Sequence, residues 1–168
     1  CLRVVHGDRL RPSNQELTGL RSNMAGGLGA YIALMRPKNL VLAGATVPLG
    51  AYFALMDTSE AFPFVAVILH TLAVMLFTGA GNAMNDIKDA EIDKTAHPMR
   101  PLPSGQLTLS QAGRFTSLLW VLSVAAHVGG LIAVEAAVSI YLPTALIYIL
   151  AVVLMVTYDH GPATKLSL

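Results

Sequence analysis

Four long stretches without a charged side chain are the strongest constraint on the fold of this chain. All 11 Lys and Arg residues and all 10 Asp and Glu residues lie between or outside these stretches. A helix needs about 20 predominantly apolar residues to cross a hydrocarbon core about 30 Å thick, whereas a helix of a soluble protein needs a polar face. The sequence therefore predicts four transmembrane spans and excludes a soluble domain. The stretches are Leu40 to Met56, Ala61 to Met84, Phe115 to Val134 and Ala136 to Thr157.

The last two stretches are separated only by Glu135. A single helix over both would be roughly 65 Å long, about twice the thickness of a bilayer. The chain must therefore turn back, either near Gly129 and Gly130 or at Glu135. We favour Glu135 because it is the only charge available to lie at an interface. A second tight turn is predicted at residues 57–60. Together these features predict an all-α, polytopic transmembrane bundle.

Basic residues gather on one side of the predicted spans. Lys and Arg near span ends favour the cytoplasmic side of a membrane, or the stromal or matrix side in an organelle. We therefore expect a multi-pass protein of a bacterial inner membrane or an organellar membrane. The residues that define this side are Arg36, Lys38, Lys88, Lys94, Arg100, Arg114 and Lys165.

The first 35 residues are more polar than the rest and are predicted to form a flexible tail ahead of a membrane domain at residues 36–168. A chain that begins at Cys1 instead of a methionine is expected to be a fragment or a processed form. Cys1 is the only cysteine, so one copy forms no internal disulfide and no cysteine-based metal site.

An acidic segment follows the second span and is predicted to begin a ligand-binding loop at residues 85–110. On a helix that continues from that span, Asn82, Asp86, Asp89 and Asp93 lie within about 60° of one another. Three carboxylates within two turns repel one another unless a cation lies among them. Mg²⁺ suits such a site because it uses one or two protein carboxylates and retains contacts to water and phosphate. The alternative is a solvated acidic face neutralised by nearby Lys and Arg side chains.

A proline-rich turn follows the acidic segment and carries Arg100. The prolines end the helix and fix an extended path, and Gly105 permits a positive φ angle. Arg100 is therefore expected to lie close to the carboxylates, where it and Lys94 can contact phosphate oxygens. Thr108 and Gln111 form a plausible capping box for the third span. The three prolines are Pro98, Pro101 and Pro103.

At this point two motifs carry a resemblance. The acidic segment spells NDxxDxxxD, and RPLPSG follows it at residues 100–105. This pair resembles the first signature of the UbiA superfamily of intramembrane prenyltransferases. The similarity extends back to Arg36, Pro37 and Asn39, and covers approximately residues 36 to 158. The four residues of the first motif are Asn85, Asp86, Asp89 and Asp93.

The resemblance implies a bundle of about nine spans in which two aspartate motifs bind Mg²⁺ and a prenyl diphosphate. Ionisation of the diphosphate would give a prenyl cation that alkylates an aromatic or lipid acceptor. By the same resemblance, Asp86, Asp89 and Asp93 would be the catalytic and metal-binding residues. The residues that would contact the diphosphate are Asn82, Asn85, Lys94, Arg100, Tyr158 and Lys165.

The chain departs from the family pattern in two respects. It has four spans and lacks the second aspartate motif, so the expected partners include the missing C-terminal half of the bundle, besides the lipid bilayer. The family often has a tyrosine and a lysine about four residues apart after the fourth span, whereas Tyr158 and Lys165 are seven apart. We therefore expect an N-terminal fragment that is inactive alone. Nucleic acid is not an expected partner.

Two other functions remain open at this stage. One is a CDP-alcohol phosphotransferase, another class of membrane enzyme that binds Mg²⁺ through spaced aspartates, although its motif pairs are not found near Asp86. The other is a non-catalytic subunit or fragment that only packs against a partner. Neither the acceptor nor the length of the prenyl chain follows from these residues.

Overall fold

A computed structural model describes residues 27–135 and 138–158 of the chain. Within these ranges the chain forms six helices and no strand, which confirms the all-α prediction. Lys165 and residues 1–26 lie outside the described part. The helices are α1 (residues 27–35), α2 (Pro37–Leu55), α3 (Phe64–Lys88), α4 (Ala90–Ala96), α5 (Leu109–Ala133) and α6 (Val138–Tyr158).

Each predicted span corresponds to a helix. Among the described residues, α2, α3 and α5 are long and apolar enough to cross a membrane. Helix α6 is also apolar, but its part from Leu142 to Met155 is shorter than these three. The chain is therefore an integral membrane protein built as a helical bundle. The helices extend beyond the charge-free stretches because a helix can continue into the interface, where charged side chains are solvated.

Helix α3 is the centre of the bundle and packs against α2 and α5. The close approach of α2 depends on glycine, since a Cβ atom on Gly44 would lie 2.8 Å from Cγ of Met75 on α3. Small residues allow membrane helices to approach closely and to gain van der Waals contact. The buried alanines of α3 that serve the same purpose are Ala66, Ala73, Ala80 and Ala83.

Residues 27–35 correct the predicted extent of the tail. They form α1 instead of a flexible segment, and Ala30 and Leu34 are buried in a core that also contains Ala83 and Ala112. Ala30 and Leu34 are four residues apart, so they share one face of this short helix and are buried together. The tail prediction therefore applies at most to residues 1–26.

The predicted turns and caps agree with the structure at three points. Helix α5 ends at Ala133, and Glu135 adopts φ 48°, which reverses the chain between α5 and α6. Gly105 adopts φ 76° in the proline-rich turn. The capping box of α5 is complete, because the Thr108 N–H donates to Oε1 of Gln111 at 2.9 Å and the Gln111 N–H donates to Oγ1 of Thr108 at 3.2 Å. The capping box fixes the end of the loop that leads from α4 into α5.

Candidate functional site

The acidic segment is helical with one interruption. Helix α3 ends at Lys88, Asp89 is the joint, and α4 begins at Ala90. The helical hydrogen-bond pattern continues across the joint, because the Asp89 N–H donates to the Asn85 carbonyl at 2.9 Å and the Asp93 N–H donates to the Asp89 carbonyl at 2.8 Å. As a result Asp86 and Asp93 remain on one side of the segment.

These two aspartates are buried, with 3% of Asp86 and 4% of Asp93 exposed. Buried carboxylates require charged or hydrogen-bonding partners. Arg36 Nη2 donates to Oδ1 of Asp86. Arg100 Nη1 lies 2.6 Å from Oδ2 of Asp93 and 3.5 Å from Oδ1 of Asp86. The site is therefore a cluster of two carboxylates and two guanidinium groups, which we call the Asp–Arg cluster: Arg36, Asp86, Asp93 and Arg100.

Arg36 reaches the cluster from the junction between α1 and α2. It adopts the left-handed conformation, with φ 56° and ψ 75°, and Pro37 starts α2 directly after it. A left-handed non-glycine residue is held in place only when its surroundings determine its conformation. Nδ2 of Asn82 contributes to this by donating to the Met35 carbonyl at 2.8 Å. The junction is thus fastened to α3 one turn before Asp86.

Arg100 reaches the cluster from the proline-rich turn after α4. The His97 N–H donates to the Asp93 carbonyl at 2.8 Å, and the Arg100 N–H donates to the His97 carbonyl at 3.1 Å. On the other side of the turn, the Ser104 N–H donates to the Arg100 carbonyl at 3.0 Å. The backbone around Arg100 is therefore fixed from both sides, as the prolines predicted.

A pocket of about 520 Å³ opens beside the cluster. Its polar lining consists of Arg36, Asp86, His97 and Arg100, and the remaining walls are small or apolar side chains. Guanidinium groups bind phosphate and carboxylate oxygens through paired hydrogen bonds. The pocket is therefore suited to an anionic group, with carboxylates beside it that can take a cation. The other lining residues are Ala33, Ala96, Pro98, Met99 and Pro101.

The Asp–Arg cluster contains two of the three carboxylates that the sequence predicts for a magnesium site. Among the described residues, no three His, Cys, Asp or Glu side chains come together as a metal-binding group. Asp86 and Asp93 nevertheless contact the same guanidinium nitrogen, so their oxygens lie on one small surface. Mg²⁺ usually binds one or two carboxylates together with water and substrate phosphate. The donor set fits this mode of binding and does not fit a cage made of protein ligands alone.

The other predicted site residues are not among the described residues that line the pocket. Asp89 and Asn85 are half-buried at the joint between α3 and α4. Lys94 is exposed, and its Nζ lies 2.8 Å from both carboxylate oxygens of Glu91. Tyr158 is the last residue of α6, and its side chain is outside the described part of the chain, as is Lys165.

Sequence reasoning missed two residues of the pocket as site residues, Arg36 and His97. Arg36 lies 50 positions before its partner Asp86, so no local spacing relates them. The signals were an arginine followed by proline directly before the first span and the family similarity that extends back to Arg36. His97 belongs to the same turn as Arg100, but a single histidine between Ala96 and Pro98 has no pattern of its own.

Comparisons with known proteins agree with this geometry. The model of the UbiA prenyltransferase family matches residues 39–166. A digeranylgeranylglyceryl phosphate synthase of Methanosarcina mazei is 40% identical over 108 residues, which are 59% of this chain and 37% of that protein. One of Methanosphaera stadtmanae is 34% identical over 124 residues, covering 74% of this chain and 43% of that protein.

A third relative, the digeranylgeranylglyceryl phosphate synthase of Methanococcoides burtonii, is 37% identical over 56% of this chain and 35% of its own length. The chain therefore spans about two fifths of the length of the curated relatives it matches. No solved structure matches it. Because the family model covers most of the sequence, including the acidic segment and the proline-rich turn, the chain belongs to the UbiA prenyltransferase family.

Proposed function

We propose that this chain is part of a prenyltransferase that moves a prenyl group from a prenyl diphosphate to an acceptor. The observation that carries the proposal is the pocket of about 520 Å³ that is lined by Arg36, Arg100 and the buried Asp86, with the buried Asp93 behind it as the ion-pair partner of Arg100. Such a rim binds a diphosphate and a divalent cation together, and the pocket lies at the end of an apolar span. Membership of the UbiA family favours this function over a CDP-alcohol phosphotransferase.

The arginines have the simplest role. Arg36 and Arg100 contact diphosphate oxygens and neutralise the charge that grows on the leaving group as its bond to the prenyl carbon breaks. Each arginine now contacts a buried carboxylate, so it is already oriented toward the pocket. The electron pair of the breaking C–O bond leaves with the diphosphate, and the prenyl group becomes an allylic cation.

The aspartates are proposed to provide the cation site. Asp86, Asp89 and Asp93 would hold Mg²⁺, and Asn85 would contact the diphosphate beside it. A bound Mg²⁺ supplies positive charge that stabilises the leaving diphosphate. Asn82 acts by fixing the junction that carries Arg36, since its amide already donates to the Met35 carbonyl. Lys94, Tyr158 and Lys165 are further candidates for contacts to the diphosphate.

The apolar helices around the pocket protect the reaction. An allylic cation reacts with water unless water is excluded. Helices α2 and α3 lead away from Arg36 and Asp86 at the pocket as mostly apolar spans, which are proposed to keep water out. The acceptor attacks the cation through an oxygen or an electron-rich carbon and then loses a proton. We propose that the Asp–Arg cluster faces the cytoplasm in a bacterial inner membrane, or the stroma or matrix in an organellar membrane, because basic residues gather on this side of the spans.

The acceptor is proposed to be a lipid with a glyceryl phosphate group. This follows from the names of the relatives, which are digeranylgeranylglyceryl phosphate synthases. The same names favour geranylgeranyl diphosphate as the donor. Because the chain covers about two fifths of these relatives, we further propose that a C-terminal half completes the bundle and supplies a second aspartate motif.

The proposal is tested with the longest open reading frame that contains this sequence, purified into lipid nanodiscs. Release of diphosphate from labelled geranylgeranyl diphosphate is measured in the presence of Mg²⁺ and a geranylgeranylglyceryl phosphate acceptor. We expect Asp86→Asn to reduce turnover by at least a hundredfold, while Arg114→Gln, an exposed arginine at the start of α5, leaves it unchanged. Equal turnover of wild type and Asp86→Asn would instead support a non-catalytic role for this segment.

A further inference from the structure

A second polar cluster lies within the membrane-spanning part of the bundle. It consists of three aromatic rings from three helices, His70 on α3, His127 on α5 and Tyr148 on α6. The His70 and His127 ring centroids are 5.2 Å apart, and those of His127 and Tyr148 are 5.5 Å apart in a stacked arrangement. Gly130 leaves room for this stack, because a Cβ atom there would lie 2.6 Å from Cε1 of His70. We call these three residues the ring cluster.

The tyrosine end of the ring cluster is satisfied by hydrogen bonds. Ser123 is fully buried, and its hydroxyl donates to the Ala73 carbonyl at 2.8 Å. Its oxygen therefore accepts from the Tyr148 hydroxyl, also at 2.8 Å. These bonds tie α6 to α3 and α5 at the level of the cluster.

The histidine end is not satisfied in this way. Nε2 of His127 is buried and has no hydrogen-bond partner among the described residues. A polar atom without a partner in an apolar environment costs on the order of 1–3 kcal/mol or more, and inside a bilayer water cannot compensate for it from the lipid side. A group that hydrogen-bonds this nitrogen is therefore expected.

Space for that group exists on both sides of His127. One cavity of about 290 Å³ is lined by His70, Phe77, His127 and Tyr148, by Thr144 of α6 and by aliphatic side chains of α3 and α6. A second of about 350 Å³ lies on the other side of His127 and Tyr148. The first cavity has about ten times the volume that one water molecule occupies in the liquid. Because its walls are mostly apolar, most water molecules placed there would have no hydrogen-bond partner on the protein. The complementary ligand is therefore mostly apolar and carries one polar group.

The ring cluster is separate from the Asp–Arg cluster. His70 precedes Asp86 by 16 residues on α3, which places it about 24 Å away along the helix and about 160° around its axis. Phe77 also lies on the face of α3 opposite Asp86 by this geometry. The cavity therefore does not belong to the diphosphate pocket.

We propose that the cavity between α3, α5 and α6 binds an uncharged long-chain alcohol from the bilayer, with its hydroxyl on Nε2 of His127. A hydroxyl group suits this nitrogen because it can donate to the imidazole or accept from it, whichever tautomer is present. The hydrocarbon chain then runs past Phe77, which lies two helical turns after His70 on α3. This binding function is independent of the proposed prenyl transfer.

The chain contains its own optical probe. Trp120 is the only tryptophan, and its ring centroid is 4.8 Å from that of Phe77, which lines the cavity. A bromine at the end of a bound chain quenches tryptophan fluorescence. The experiment titrates 11-bromoundecan-1-ol into the intact protein in nanodiscs and compares it with 1-bromoundecane, which lacks the hydroxyl.

We expect saturable quenching by the alcohol with at least tenfold higher affinity than by the bromoalkane. His127→Phe preserves a flat ring and is expected to abolish that difference, a tenfold change that corresponds to one hydrogen bond of about 1.4 kcal/mol. Leu122→Phe, at a lipid-exposed position on the same helix, is expected to leave the affinity unchanged.

Equal quenching by the two probes in wild type, or an unchanged alcohol affinity in His127→Phe, would overturn the proposal. If His127→Phe does not fold, Ala151→Phe fills the cavity from α6 and decides the question. Loss of the saturable alcohol component in that variant supports the site, and its retention overturns it. Prenyl transfer is measured in parallel, so that failure of the alcohol-binding proposal can be told apart from failure of the proposed prenyl transfer. Alcohol binding does not depend on whether prenyl transfer is observed.

Discussion

Arg100 joins two carboxylates that belong to different helices, since its Nη1 lies 2.6 Å from Asp93 on α4 and 3.5 Å from Asp86 on α3. The two aspartates are almost fully buried, whereas Arg100 is 31% exposed and faces the pocket. A single guanidinium group therefore links the end of the second span, the short helix and the proline-rich turn. It also remains accessible to an anion in the pocket.

Arg100→Gln should destabilise the protein and weaken diphosphate binding. The substitution leaves a buried carboxylate with less compensation, which we expect to cost about 1–3 kcal/mol of unfolding free energy, reduced from fully buried values by the exposure of Arg100. Affinity for a prenyl diphosphate should fall by at least tenfold. Thermal unfolding in detergent and isothermal titration calorimetry measure the two effects.

The matched control for this variant is Arg114→Gln on the exposed surface of α5. Its guanidinium contacts only the Ser110 carbonyl, at 3.4 Å, among the contacts described for it. We expect a change of less than about 0.5 kcal/mol in stability, as for surface substitutions in general. Equal effects of the two substitutions would show that Arg100 has no special role.

Asn82→Leu should weaken diphosphate binding through the position of Arg36, without removing a direct contact to the diphosphate. The amide of Asn82 donates to the Met35 carbonyl and so positions Arg36 next to Asp86. Leucine has a similar volume but leaves that carbonyl without its partner, at an expected cost of about 1–2 kcal/mol. We expect KM for the prenyl diphosphate to rise by about fivefold or more with a smaller change in kcat. An unchanged KM would exclude this positioning role.

Thr108→Ala should loosen the start of α5 and the loop before it. The capping box supplies two hydrogen bonds, and removing the side chain of the cap costs about 1 kcal/mol. Hydrogen exchange of the backbone amides at residues 109–111 should accelerate by about fivefold. Ser110→Ala, two residues after Thr108 in the same first turn and without a capping role, should leave the rates of the Leu109 and Gln111 amides unchanged.

Two glycines of α5 should respond in opposite directions to alanine. A Cβ atom on Gly130 would lie 2.6 Å from the His70 ring, so Gly130→Ala forces the ring cluster to shift at an expected cost of about 1–3 kcal/mol. Gly113 has nothing within 4 Å, so Gly113→Ala should stabilise the helix by about 0.5–1 kcal/mol. Thermal unfolding of both variants measures the difference. A neutral Gly130→Ala would show that the three helices are packed less closely than described.

The spans could be predicted because a charge-free stretch of sufficient length has one physical solution in a bilayer. The turn at Glu135, the positive φ of Gly105 and the capping box could be predicted for a different reason. Each depends on residues that are neighbours in the sequence. The position of Arg100 beside Asp93 also follows from local geometry, because only a short, proline-stiffened turn separates them.

The contact between Arg36 and Asp86 could not be predicted in the same way. It joins positions 50 residues apart and depends on how α1, α2 and α3 pack, which periodicity does not determine. The joint at Asp89 was missed because it changes the backbone of one residue while the surrounding hydrogen bonds continue. The ring cluster was missed because histidines on separate spans give no sign that their rings meet.

The most direct test of the account is the Mg²⁺ dependence of prenyl diphosphate binding to the intact protein in nanodiscs. A non-ionisable geranylgeranyl diphosphate analogue is titrated by calorimetry with Mg²⁺ and with a chelator, in wild type and in Asp86→Asn. We predict that Mg²⁺ raises the affinity of wild type by at least a hundredfold, and that Asp86→Asn loses most of this gain. An affinity that does not change with Mg²⁺, or a gain that persists in Asp86→Asn, would contradict the account.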